Sequence, residues 1–178
     1  MLVVVSGPPG AGKTTLAHAL ARAIGCPVVS RDEIKEGMVA TSSGFVAAMD
    51  DEYSRRTLAA FFDMLHLLAE RGVTVVAEAA FQHHVWAPRL EDLLSLARVQ
   101  IVQCRVRSDV AGARVVDRGT TRSAHPDGEL VDAVVRGDDP IATFRPLVLD
   151  VPTIEVETTD GYDPPLAEII DRLEIRSV

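Results

Sequence analysis

The chain has 178 residues, 47% of them hydrophobic, which suits one domain with a full core. A net charge of −8 and a pI near 5.1 disfavour a large nonspecific nucleic-acid surface, because phosphate contacts need clustered Lys and Arg; a short basic groove remains compatible. No apolar run approaches the ~20 residues that a membrane helix needs. The first strand-like run begins at residue 2, which leaves no room for a signal peptide. Cys26 and Cys104 lie in or beside apolar segments without a C-x-x-C, so they read as buried free thiols, and a reducing cytoplasm is the expected location.

The first element is a strand over residues 2–5, a continuous apolar run of the kind that buried parallel strands show. Gly7, Pro8, Pro9, Gly10, Ala11, Gly12, Lys13, Thr14 and Thr15 follow, and they fit G-x-x-x-x-G-K-[ST] without a mismatch. Leu16, Ala19, Leu20 and Ala23 then recur at helical spacing, with Gly25 at the C-cap position. Strand, glycine-rich turn and helix together make an anion site. Glycines allow close backbone approach, and the N–H groups converge at a helix N-terminus. Lys13 is expected beside the β- and γ-phosphates of a nucleoside triphosphate, and the Thr14 hydroxyl on Mg²⁺.

A second strand is expected over residues 27–30, and "SRDEIKEGM" follows it. Asp32 there can take a proton from an attacking hydroxyl, help hold Mg²⁺, or simply cap the next helix. Glu33 reads as a first-turn helix acid. Arg31 and Lys35 read as acceptor contacts or as solvated charge. Leu58, Phe61, Phe62, Leu65 and Leu68 mark one face of a long helix ending near Gly72. A third strand over residues 73–77 ends at Glu78, a carboxylate costly to leave unpaired. It suits a water-mediated Mg²⁺ contact, a hold on the attacking group, or a bond to Lys13 or Thr14. Phe81 and Gln82 are candidates to line an acceptor pocket. His83 and His84 read as a surface helix start, since adjacent histidines on a helix do not share a face.

Trp86, Leu90, Leu93, Leu94 and Ala97 mark the next helix, with Pro88 in its first turn. A fourth strand covers residues 99–106. Ser108 or Asp109 is expected to cap the helix after it. Arg114, Arg118 and Arg122 recur every four residues, as a lid over a triphosphate or as a solvated stripe; Gly119 is a candidate helix end, and His125 lies in a Pro-Gly loop without a role. A fifth strand covers residues 152–156. Thr158, Thr159 and Asp160 form a polar turn that either approaches the adenine or caps the last helix, which carries Leu166, Ile169, Ile170 and Leu173. Repeated β-α units imply an α/β domain with a parallel sheet covered on both faces and a ligand beyond the strand C-termini.

"SGPPGAGKTT", "SRDEIKEGM", "VVAEAAF", the arginine series and "VETTDGYDP" together resemble the small P-loop kinases, among them chloramphenicol phosphotransferases, zeta-toxin-like kinases and the kinase domain of polynucleotide kinases. The resemblance spans the chain from first strand to last helix. It implies one P-loop NTPase domain over residues 1–178, a three-layer sandwich with sheet order 2-3-1-4-5 and a lid at about residues 109–128. It makes Asp32 the acceptor base, puts Glu78 where an Asp is common, and matches Arg114 and Arg118 to lid arginines. The implied activity is transfer of the ATP γ-phosphate, with Mg²⁺, to a hydroxyl of a small molecule: an antibiotic, a sugar or a nucleoside-linked sugar. A polynucleotide 5′-hydroxyl kinase and a nucleotide-dependent regulatory ATPase are the alternatives. Lys13, Asp32, Arg114 and Arg118 are the expected catalytic residues. Residues 7–15 with Arg114, Arg118 and Thr158 are expected to hold the nucleotide, and Thr14, Asp32 and Glu78 the metal.

Overall fold

Apolar runs flanked by turn residues become the strands of one parallel sheet: β1 (Leu2–Ser6), β2 (Val28–Ser30), β3 (Val75–Glu78), β4 (Val99–Arg105) and β5 (Thr153–Glu157), in the order β2-β3-β1-β4-β5. The structure is a computed structural model describing residues 1–48, 51–119, 124–125 and 127–175. Seven helices connect or flank the strands among these residues: α1 (Lys13–Ile24), α2 (Arg31–Val39), α3 (Glu52–Glu70), α4 (His83–Leu94), α5 (Ser108–Arg118), α6 (Asp127–Val135) and α7 (Leu166–Arg172). None is long and apolar enough to cross a membrane. The sheet order and strand polarity agree with the expected three-layer α/β fold.

Two apolar layers enclose the sheet. On one face Leu2, Val4 and Ile101 pack under α3 and α4, around an aromatic group of Phe61, Phe62, Phe81 and Trp86 with ring centroids 4.8–6.0 Å apart. On the other, Val3, Val5, Val102 and Cys104 pack under α1 and α7. Coverage is incomplete at one place. β5 alternates exposed and buried residues, so Thr153, Glu155 and Glu157 face outward and are exposed. The expectation of a sheet covered on both faces holds for the inner strands and fails at this edge.

Several local expectations are corrected. The cap of α2 is Ser30, whose Oγ accepts from the Glu33 N–H at 3.4 Å, so Asp32 is not a cap. Neither Ser108 nor Asp109 caps α5: the cap position is Arg107, whose N–H donates to Thr159 Oγ1 at 3.0 Å. α4 begins at His83, which places Pro88 beyond the first turn. Residues 127–135, where no helix was expected, form α6. Phe81 is fully buried in the aromatic group at φ 44°, and lines no acceptor pocket. Such a left-handed φ is rare for a bulky residue. Cys104 is buried and its thiol is pushed up to about 12 by burial, while half-buried Cys26 is raised for the same reason; both are free, as expected.

Lys35 is neither solvated nor an acceptor contact. It is 1% exposed, and its ammonium donates to Asp51 Oδ2 at 2.7 Å and to Ser54 Oγ at 2.9 Å. Asp51 is itself the N-cap of α3, accepting from the Ser54 N–H at 2.6 Å, so one carboxylate starts a helix and neutralises a buried cation. Burial works to raise the Asp51 pKa. Hydrogen bonds from Lys35 and from the Ser54 and Ala48 N–H groups outweigh it and hold the group at about 2. A depressed carboxylate stabilises the fold above its unfolded value, and that contribution is lost as pH falls through the folded value. Asp51→Ala is expected to cost roughly 3 kcal/mol at neutral pH by leaving Lys35 uncompensated. The gap to wild type should narrow between about pH 4 and 2; denaturant midpoints followed across that range check both statements.

Candidate active site

The phosphate loop runs from the end of β1 into α1, and its shape is set from behind. A Cβ at Gly7 would lie 2.8 Å from the Cys104 Cβ and 2.9 Å from its carbonyl oxygen, and one at Gly10 would lie 2.5 Å from the Ala111 carbonyl oxygen. Both glycines are therefore demanded by β4 and α5, before any ligand is considered. Gly12 differs: open space surrounds it, but as the N-cap of α1 it takes φ 69°, which favours glycine. α1 has no side-chain cap and no acid in its first turn. Its first N–H groups thus keep their positive end for an anion. The Lys13 ammonium bridges back to the Pro8 carbonyl at 2.9 Å.

Two clamps fix the loop from α5 and the ends of β4 and β5. The Thr158 hydroxyl, 3% exposed, lies within donating distance of the Ala11 carbonyl (3.0 Å) and the Arg105 carbonyl (2.8 Å). Arg114 donates to the Gly10 carbonyl at 3.2 Å and to the Thr158 and Thr159 carbonyls at 2.7 and 3.0 Å. Thr158 thus touches the loop from behind, and Arg114 ties α5 to both the loop and the end of β5.

A cavity of about 440 Å³ opens over the loop, lined by Gly10, Gly12, Lys13, Thr14 and Thr15 of the loop and α1, by Ser30, Asp32, Glu33 and Glu36, and by Arg114 and Arg118 of α5. A second cavity of about 700 Å³ adjoins it, and Lys13, Asp32 and Arg118 line both. Arg31, Arg55, Gln82, Trp86, Thr143 and Phe144 are among the walls of the second. The strand-end expectation for Asp32 and Gln82 thus puts them at these cavities.

Asp32 Oδ1 accepts from Arg31 at 3.1 Å, and His125 Nδ1 stands 4.0 Å away. His125, to which the sequence assigned no role, lies with its side chain 8% exposed between Asp32 and Glu36, its Nε2 3.7 Å from Glu36 Oε1. Glu78 is 1% exposed and accepts from Ser30 Oγ at 2.7 Å. Through this bond the chain Glu78–Ser30–Glu33 N–H braces the first turn of α2, where Asp32 sits. Thr14 and Asp32 face the loop cavity and could hold a Mg²⁺ together with phosphate oxygens, which suits an ion that keeps most of its own waters. Among the described residues no three His, Cys, Asp or Glu side chains gather as a metal cage. His83 serves instead to anchor the chain near Val148, whose N–H donates to the His83 Nδ1 at 3.3 Å.

Arg122 and part of the expected lid lie outside the described residues. Sequence reasoning missed Ser30, Arg55, Thr143 and Phe144. Arg55 falls within α3 and Phe144 in a connection, so a search restricted to strand ends passes over both.

Thr158→Val removes the hydroxyl that meets the Ala11 carbonyl. The expected cost is about 1–3 kcal/mol of stability for an orphaned buried acceptor, with weaker nucleotide binding from a loosened loop. Denaturant unfolding and titration with an ATP analogue check the two effects.

Comparison with known proteins places this chain among kinases. Residues 2–136 match the AAA domain family. Over 181 residues the chain is 32% identical to the shikimate kinase of Corynebacterium efficiens, covering 97% of this chain and 96% of that protein. The fold is shared with a protein from Chloroflexus aurantiacus provisionally assigned as a kinase (TM-score 0.79, 23% identity, 98% of both chains). It is shared also with the APS kinase of Mycobacterium tuberculosis, solved with AMPPNP and APS (TM-score 0.66, 19% identity, 98% of this chain and 97% of that one).

Proposed function

We propose that this chain, which belongs to the AAA domain family and is an ATP-dependent small-molecule P-loop kinase acting on a hydroxyl group, phosphorylates a small polyhydroxylated acceptor that carries an anionic group. One observation carries the reading: the cavity over the phosphate loop and the larger cavity beside it meet at Lys13, Asp32 and Arg118. A donor in the first and an acceptor in the second would react across those three side chains. The larger cavity also brings in Arg31 and Arg55, so cations line an acceptor site in a chain of net charge −8. Guanidiniums bind carboxylates, sulfates and phosphates through paired N–H donors. Shikimate, the acceptor named for the relatives, has this chemistry as a ring carboxylic acid bearing hydroxyls; sugar acids and nucleoside-linked sugars share it, whereas a neutral antibiotic would leave the arginines unused.

In the proposed reaction, the residue 7–15 loop and Lys13 hold the ATP phosphates, and Arg114 and Thr158 keep the loop in shape for them. Mg²⁺ at Thr14 would neutralise phosphate charge. Asp32 orients the acceptor hydroxyl and takes its proton as the oxygen bonds to the γ-phosphorus and the bond to the ADP oxygen breaks. Arg118 faces the transferring oxygens, where charge is carried in the transition state. Glu78 acts through Ser30 to position Asp32.

Transfer of labelled γ-phosphate to a panel of hydroxy acids, matched neutral polyols and nucleoside-linked sugars tests the acceptor class, and turnover of the neutral polyols alone would reject the anionic requirement. Asp32→Asn is expected to lower kcat by roughly 10²–10⁴-fold with ATP affinity little changed. Lys13→Ala should abolish transfer while thermal unfolding stays near that of wild type. Arg55→Ala should raise the acceptor KM and leave the KM for ATP unchanged, because Arg55 lines only the acceptor cavity; steady-state kinetics with each substrate varied separates the two.

A further inference from the structure

We propose that the cleft between the uncovered face of β4–β5 and the 141–149 connection is a second small-molecule site, fitted to a neutral, mainly apolar ring compound with a single N–H or O–H donor. The site is independent of the acceptor assignment. Thr153, Glu155 and Glu157 of β5 point outward and are exposed, beside Gln103 and Arg105 of β4. The 141–149 connection crosses above. It is anchored by Leu147 in the core, by the Arg145 N–H on Gln82 Oε1 at 2.9 Å and by the Val148 N–H on His83. The space left between strand face and connection is about 630 Å³.

The lining defines the ligand. Ile141, Phe144, Pro146, Leu147, Leu149 and Val106 make the walls apolar. Gln103 supplies the polar point. It is 5% exposed, and its Oε1 has no hydrogen-bond partner among the described residues, while its Nε2 reaches only the neighbouring Cys104 carbonyl at 3.4 Å. A buried amide oxygen without a donor calls for one from outside the chain. The charges at the rim are already engaged. Arg105 pairs with Glu155, Arg107 with Asp109 at 2.7 Å, and Glu157 accepts from the Thr158 and Thr159 N–H groups at 3.0 and 2.8 Å. With these charges committed, the cleft suits a neutral occupant. An apolar pocket of this size with one directed polar group is the usual form of a small-molecule site. Phe144 is shared with the acceptor cavity and Pro8 with the phosphate loop, so an occupant touches the walls of both.

Indole and 1-methylindole, alike in shape but differing in the N–H, are the probes. Titrated into the full chain and followed by amide NMR, indole is expected to give saturable shifts at the Gln103 side-chain amide and at Leu147 and Val148. It should bind roughly 2- to 10-fold more tightly than 1-methylindole, the worth of one neutral hydrogen bond. In Gln103→Leu, which keeps the size and removes the acceptor, the two probes should bind alike. The wild-type comparison decides the matter even where that variant fails to fold. Equal binding of the two probes to wild type, no saturable shift with either, or shifts confined to Thr14 and Asp32 would each overturn the proposal.

Discussion

The phosphate loop lies too close to β4 and α5 to admit a side chain at Gly7 or Gly10, and this wedge organises the whole active end of the molecule. Cys104 presses on one glycine and Ala111 on the other. Thr158 and Arg114 then tie the loop's own carbonyls to the ends of β4 and β5. The loop is therefore held on its rear surface by carbonyl contacts, which leaves its N–H groups and the uncapped start of α1 for an anion. Arg114 carries more of this scaffold than a lid residue would, since its guanidinium is committed to three backbone oxygens. α5 is therefore coupled directly to Gly10, through Arg114 and through Ala111.

Charge is distributed against the average. The chain is acidic overall, yet Lys13, Arg31, Arg55 and Arg118 converge on one cavity around a single carboxylate, Asp32. That local inversion suits an ATP-dependent kinase acting on a hydroxyl group, whose donor is polyanionic. The support of Asp32 comes from the core. Glu78, buried at the end of β3, holds Ser30, and Ser30 holds the first turn of α2. A further ion pair, Lys35 with Asp51, joins α2 to the start of α3, the two helices that contribute Asp32 and Arg55 to the larger cavity.

Residue patterns identified the strands, the phosphate loop and α1 because each depends on neighbours in the chain: apolar runs, glycine spacing and a helical repeat. The strand-end rule pointed to Asp32, and the arginine spacing to Arg114 and Arg118, as candidates for the same reason. α6 was hidden by Pro126 and Gly128, which punctuate the sequence like a loop although Leu130 to Val135 continue as a helix. Lys35 looked like a surface or substrate cation because its partner Asp51 lies sixteen residues on, across a helix boundary. Phe81 looked like a pocket residue because it follows a strand, while the aromatic rings that bury it come from α3 and α4.

By itself the sequence determined the α/β class, the nucleotide loop and the candidate base, since these follow from periodicity and from a motif whose residues are contiguous. Only the tertiary structure decided what each of those residues leans on. It showed that Gly7 and Gly10 answer to Cys104 and Ala111, that Thr158 braces the loop from behind, and that Arg55 and Phe144 line the cavity beside the loop. It also showed that β5 leaves one face open to form a cleft. Contacts of this kind join residues far apart in the chain, and no local pattern encodes them, because packing distance is set by how whole elements stack on the sheet.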